Sequence, residues 1–242
     1  MLKYLKSIFI ALAIISSANA AQTLSQNEIT EIQNLELFKK AQVQVKQAYD
    51  AGSVYLLNVN IRGKGDKIFL TKDKKYLIAG DVISTETGQP LEVPADLKST
   101  LGKEAFTFGT GTDEYVLFTD PECPYCKNFE KHFSKIEDKV KIRVFYFPLD
   151  MHSNARELSL YIMSQKSYDD KVKAMLETTK DTPAFINRKY AKGELEELNK
   201  QLDSQLQIAS DLGIRGTPSV FDKEGNKVNW VAMLQKYGVT VQ

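Results

Sequence analysis

The period of hydrophobic positions changes several times along the chain, and each change marks an element or a boundary. Met1-Leu2-Lys3-Tyr4-Leu5-Lys6 precedes an apolar run from Ser7 to Ile15 and the small residues Ala18-Asn19-Ala20. A basic start, a short apolar stretch and a small-x-small site form the pattern of a secretory signal peptide over 1–20, cut after Ala20. The apolar run is shorter than the ~20 residues that cross a bilayer, and no later segment approaches that length, so no membrane insertion is expected. Ala21 rather than a cysteine would begin the mature chain, which gives no reason to expect a lipid anchor.

Ser25-Gln26-Asn27-Glu28 has the form of a capping box, and Ile29, Ile32 and Leu35 follow at near-helical spacing, which predicts a short helix. Val43, Val45 and Val54 to Ile61 then favour strands, although Val43 to Tyr49 also reads as helix. Lys67 to Thr71, Lys72 to Lys75 and Tyr76 to Gly80 read as strand, turn and strand. These elements form a small α+β module over 21–88. Pro90, Pro94 and a short helical pattern from Ala95 to Leu101 suit a linker over 89–103.

A second domain is read over 104–242. Tyr115 to Thr119 is a continuous apolar run of the buried-strand type, followed by Asp120-Pro121-Glu122 and then Cys123-Pro124-Tyr125-Cys126. Phe129, Phe133 and Ile136 recur at i, i+4 and i+7, so the cysteine pair opens an amphipathic helix. Val140 to Phe147 alternates and then turns wholly apolar, a strand stopped by Pro148. The stretch from about Ser153 to Leu212 reads as helical. Gly216 to Phe221 resumes strand character, Asp222 to Asn226 is a turn, and Lys227 to Trp230 leads into a last short helix. That order of elements is a thioredoxin-like α/β domain with a helical insertion.

Charge adds little. The full chain carries +1, and removing a leader with two lysines and no acid leaves −1, so neither nucleic acid nor an anionic membrane is implied as partner. Cysteine usage says more. An exported chain that used cysteines for stability would scatter several pairs, whereas this one has two, separated by two residues. So small a disulfide loop removes little unfolded-state entropy. A pair at a strand-to-helix junction instead points to thiol chemistry, because free backbone N–H groups and the helix dipole stabilise a thiolate there. Cys123 is the expected nucleophile, and Cys126, one turn inside the helix and more buried, the resolving thiol.

An inert disulfide or half of a zinc site are the other uses of such a pair. Zinc needs two further ligands, and His132 and His152 alone supply no paired spacing, so no metal and no cofactor are expected. His152 reads as a surface histidine at a helix entry, with a place near the site as the alternative, and His132 reads as solvated. Asp120 and Glu122 flank the motif, where they could tune the thiolate or accept a proton, though turn and capping roles account for them equally. Thr217-Pro218 opens a strand at the place where thioredoxin folds set a cis proline beside the reactive sulfur.

Phe118 to Lys127, read as FTDPECPYCK, resembles the active-site segment of the DsbC/DsbG family of bacterial disulfide isomerases, with the CPYC form of the DsbG side. Ile68 to Gly80 is similar to the hairpin of that family's dimerisation domain, and Gly216-Thr217-Pro218 to its cis-proline turn. The resemblance implies a cystatin-like α+β N-terminal dimerisation domain and a thioredoxin-like catalytic domain. It implies a periplasmic homodimer acting on unfolded or misfolded exported proteins through a Cys123–Cys126 redox disulfide, with Pro124, Tyr125, Thr217 and Pro218 beside it. A DsbD-like membrane reductant would keep the pair reduced. Leu117, where thioredoxins and strong oxidants place a buried acid, and Tyr125, where strong oxidants carry histidine, agree with an isomerase. A dimeric oxidase recharged by a DsbB-like enzyme, and a chaperone whose cleft matters more than its thiols, are the alternatives.

Overall fold

The computed structural model describes residues 22–85 and 90–241; the signal peptide expected over 1–20 and the domain boundary expected at 88–89 lie outside them. The chain divides into two units between Gly80 and Asp81.

The first unit is an antiparallel sheet with two helices against it. After the edge strand β1 (Gln22–Thr23), the capping box closes as read: Ser25 Oγ accepts from Glu28 N–H, and the Glu28 carboxylate accepts from Ser25 N–H at 2.8 Å. It starts α1 (Gln26–Gln33), which is followed by α2 (Glu36–Lys40). The sheet continues as β2 (Val43–Asp50), β3 (Val54–Ile61), β4 (Lys64–Thr71) and β5 (Leu77–Ile78), each strand pairing with the next in sequence.

Residues 43–49 are therefore strand, not helix. Backbone pairing with β3 decides the matter, and a bulge between Val45 and Gln47 absorbs the irregular spacing that made the stretch ambiguous. Gln33 of α1 fastens that bulge, donating to Val43 O at 2.7 Å and accepting from Val45 N–H at 2.8 Å. Arg62 and Gly63 both adopt positive φ (52° and 86°), forming a two-residue hairpin turn, so β4 starts at Lys64 rather than at the Lys67 read from the sequence. Ile32, Phe38, Val43, Ala48, Leu57, Val59 and Ile68 make the core.

The second unit opens with a 3₁₀ turn (Leu97–Thr100), shorter than the helical pattern read around it, and β6 (Phe106–Phe108). Then come β7 (Asp113–Thr119), α3 (Pro124–Glu130) and β8 (Val140–Tyr146). The insertion is α4 (Ala155–Ser164), α5 (Tyr168–Glu177), α6 (Pro183–Ile186) and α7 (Glu194–Asp211); β9 (Ser219–Asp222), β10 (Lys227–Val228) and α8 (Trp230–Lys236) complete it. The strands lie in the order β10-β9-β7-β8-β6, with β7 and β8 parallel and the other pairs antiparallel.

β7 is apolar from Tyr115 to Phe118 because both of its faces are covered there. Tyr115 and Leu117 join Phe129, Phe133 and Val144 in one core, whereas Val116 and Phe118 join Phe145, Ile208 and Phe221 in another. The helix after the cysteines is shorter than its period suggested. It ends at Glu130, and a 3₁₀ turn (Phe133–Lys135) carries the chain on, with Phe129, Phe133 and Ile136 all buried. Its apolar spacing persists across the break, so pattern alone does not reveal where the α-helix stops.

Candidate active site

Cys123 is the N-cap of α3 and Pro124 its first residue, a position where a missing N–H leaves no hydrogen bond unmade. The turn before it is closed by Cys123 N–H donating to Asp120 O at 3.1 Å. Thr217-Pro218 is a cis peptide, and the Cys123 thiol points at Thr217 O, 3.5 Å away. The structure thus brings together Cys123, Cys126, Pro124, Thr217 and Pro218, with Tyr125 projecting outward at 69% exposed. Burial of the two sulfurs follows the expected order: Cys123 is 4% exposed and Cys126 has no exposed surface. Both are free thiols.

Their proton affinities are driven apart. A hydrogen bond from the Cys126 thiol, helped by the backbone N–H groups of Cys126 and Tyr125, lowers Cys123 from 9.0 to about 5 against the opposing effect of burial. Burial pushes Cys126 far up, and the thiolate beside it and the carboxylate of Glu130 push the same way. One sulfur is a thiolate at neutral pH and its neighbour holds its proton.

Two histidine readings are corrected. His152 is not an independent surface residue: its Nδ1 lies 2.8 Å from Asp120 Oδ2, at the mouth of the motif. His132 is not solvated; it is buried beyond the end of α3, neither ring nitrogen has a partner, and burial lowers its pKa. Asp120 is wholly buried and fully used, accepting from Glu122 N–H and Leu149 N–H, each at 2.7 Å, besides meeting His152. Glu122 accepts from the backbone and side-chain N–H groups of Asn154 at 2.6 and 2.9 Å, tying the motif's approach to the start of α4.

Sequence reasoning missed Glu130. Leu117 is buried and apolar as read, but an acid reaches the interior from the helix instead. Glu130 is 1% exposed, one turn beyond Cys126, and accepts from Thr119 Oγ at 2.5 Å while Lys127 Nζ stands 3.5 Å off. Burial raises its pKa. The available signal was the i, i+4 spacing of Cys126 and Glu130, which places both on one helix face. Among the described residues no group of three or more His, Cys, Asp or Glu side chains converges as a metal site.

This fold and this constellation define the class. The chain belongs to the thioredoxin-like domain family, whose model matches residues 109–236, more than half of it. Within that class it is similar to a Bordetella avium protein described as a probable thiol:disulfide interchange protein DsbC, at 26% identity over 180 residues, or 67% of this chain. That bears out the resemblance to DsbC-type proteins, although the match spans only 57% of the relative's length. Among solved structures it is similar to the catalytic domain of Proteus mirabilis ScsC (21% identity, 58% of this chain and 91% of that one, TM-score 0.40). It is also similar to oxidised BdbD from Bacillus subtilis (17% identity, 65% and 98%, TM-score 0.41).

Proposed function

We propose that this protein is an exported thiol:disulfide interchange enzyme that reshuffles wrong disulfides in unfolded or misfolded exported proteins. The observation that carries the reading is the unequal pair: a Cys123 thiol lowered to about 5 beside a deeply buried Cys126 that keeps its proton. The Cys123 thiolate attacks one sulfur of a client disulfide, forming a mixed disulfide and releasing the other client sulfur as thiolate. If a client thiolate attacks the same client sulfur and expels Cys123, the disulfide has moved and no net electrons have passed. If Cys126 loses its proton and attacks Cys123 Sγ instead, the client leaves reduced and the Cys123–Cys126 disulfide holds the oxidation. A DsbD-like membrane reductant would then restore the pair. The module before Gly80 would join two copies, and the leader over 1–20 would direct the chain to the periplasm.

The low value at Cys123 favours a second reading. A stabilised thiolate stabilises the reduced pair and makes its disulfide a stronger oxidant, as an oxidase recharged by a DsbB-like enzyme requires. One experiment separates the readings. Cys126→Ala should accumulate mixed disulfides through Cys123, and the unaltered protein should rescue a scrambled multi-disulfide substrate faster than it oxidises the reduced one. Rescue slower than oxidation, with both cysteines found oxidised in cells by alkylation trapping, would transfer the assignment to the oxidase.

A further inference from the structure

Asp120 touches both cysteines through its backbone and His152 through its side chain. Its carbonyl accepts from Cys123 N–H at 3.1 Å, its N–H points at Cys126 Sγ at 3.5 Å, and its carboxylate meets the imidazole at 2.8 Å. Two backbone N–H groups fix that carboxylate, and His152 N–H is itself bonded to Leu149 O at 2.9 Å, so backbone and ring are both tethered. The ionisable groups acting on the imidazole are Asp120 and Glu122 from the turn after β7 and Cys123 from the start of α3; none of them is basic. Glu122 is already engaged by Asn154. The ring is 19% exposed, close enough to solvent to exchange its proton.

We propose that His152, held by Asp120, is the cationic partner of the Cys123 thiolate, so that its protonation strengthens the pull of the redox pair for electrons. It is a positioning residue, and the proposal rests on the interchange reading of Cys123 and Cys126. The hydrogen bond to Asp120 and the charge of that carboxylate, with smaller contributions from the Cys123 thiolate and Glu122, hold His152 above its ordinary 6.5 against the opposing effect of burial. Attraction between thiolate and imidazolium is mutual, so protonated His152 favours the reduced pair. The effect is fully present on the acid side of 6.5 and is lost as pH rises through the raised value. The reaction is one disulfide plus two glutathione thiols giving Cys123 thiolate, Cys126 thiol, glutathione disulfide and one proton. His152 takes up part of that proton, because its affinity is higher beside a thiolate than beside a disulfide.

The test is equilibration of the full mature chain with glutathione between about pH 5.5 and 8.5. His152→Gln should make the reduced pair about threefold to tenfold less favoured near pH 6, the scale of a partly screened charge pair, with the gap closing toward pH 8.5. A second measurement needs no variant. The chain has two histidines, and NMR titration of both rings should show His152 titrating higher in the reduced protein than in the oxidised one, with buried His132 as the control. Identical titration of His152 in both redox states, or a gap independent of pH, would overturn the proposal. If the unaltered pair failed to exchange with glutathione at all, the interchange reading would fall and this proposal with it.

Discussion

At the scale of single residues, the groups that the candidate site brings together were legible where chemistry is local. Cys123, Cys126 and Thr217-Pro218 announce themselves by type and order. His152 and Glu130 did not, because their partners are chosen by the fold: the Asp120–His152 contact joins residues 32 apart, and Glu130 is an ordinary polar helix position until Thr119 is set opposite it. Glu130 leads to a stability prediction. A buried carboxyl whose pKa is raised favours folding below the unfolded value of about 4.5 and loses that contribution as pH rises through its folded value. Glu130→Gln, which can still accept from Thr119, should therefore stabilise the reduced protein by about 1–2 kcal/mol at pH 8 and by much less at pH 4. Denaturant unfolding at the two pH values checks this, and an equal effect at both would show that the acid is not a burdened group.

At the scale of elements, strands that bury both faces and helices with clear caps were read well, and the failures share a cause. β6 is only three residues long, and its place at the sheet edge comes from pairing Phe106 with Val144 and Phe108 with Ile142, which no local pattern encodes. The premature end of α3 was hidden because a 3₁₀ turn kept the apolar side chains on the core side. Gly111 exposes a different constraint: a Cβ there would fall 1.9 Å from the carbonyl carbon of Lys139, where the chain enters β8. Backbone cannot yield as a side-chain tip can, so Gly111→Ala should cost about 2–4 kcal/mol. Gly65→Ala, with no atom within 4 Å of the added carbon, should stay within about 0.5 kcal/mol. Comparable thermal shifts for the two would show that the approach of the chain at Gly111 is not tight.

At the scale of the molecule, the chain divides between Gly80 and Asp81, just after β5. An antiparallel sheet with one helical cover leaves strand edges and apolar surface for which a second copy is a natural partner. Removing residues 21–80 should leave a monomer at micromolar concentration that still exchanges thiols, whereas the full mature chain should sediment as a dimer; a monomeric full chain would remove the dimerisation role. The burial of Cys123 has a consequence for what such a molecule acts on. Its sulfur is buried while Tyr125 beside it stands out; if the proposed interchange function holds, a disulfide fixed inside a finished fold would have no path to it, while a slack strand could bend inward and offer its sulfurs. On the proposed interchange reading, choice among clients would need no recognition of sequence: a protein would cease to be a substrate by becoming rigid.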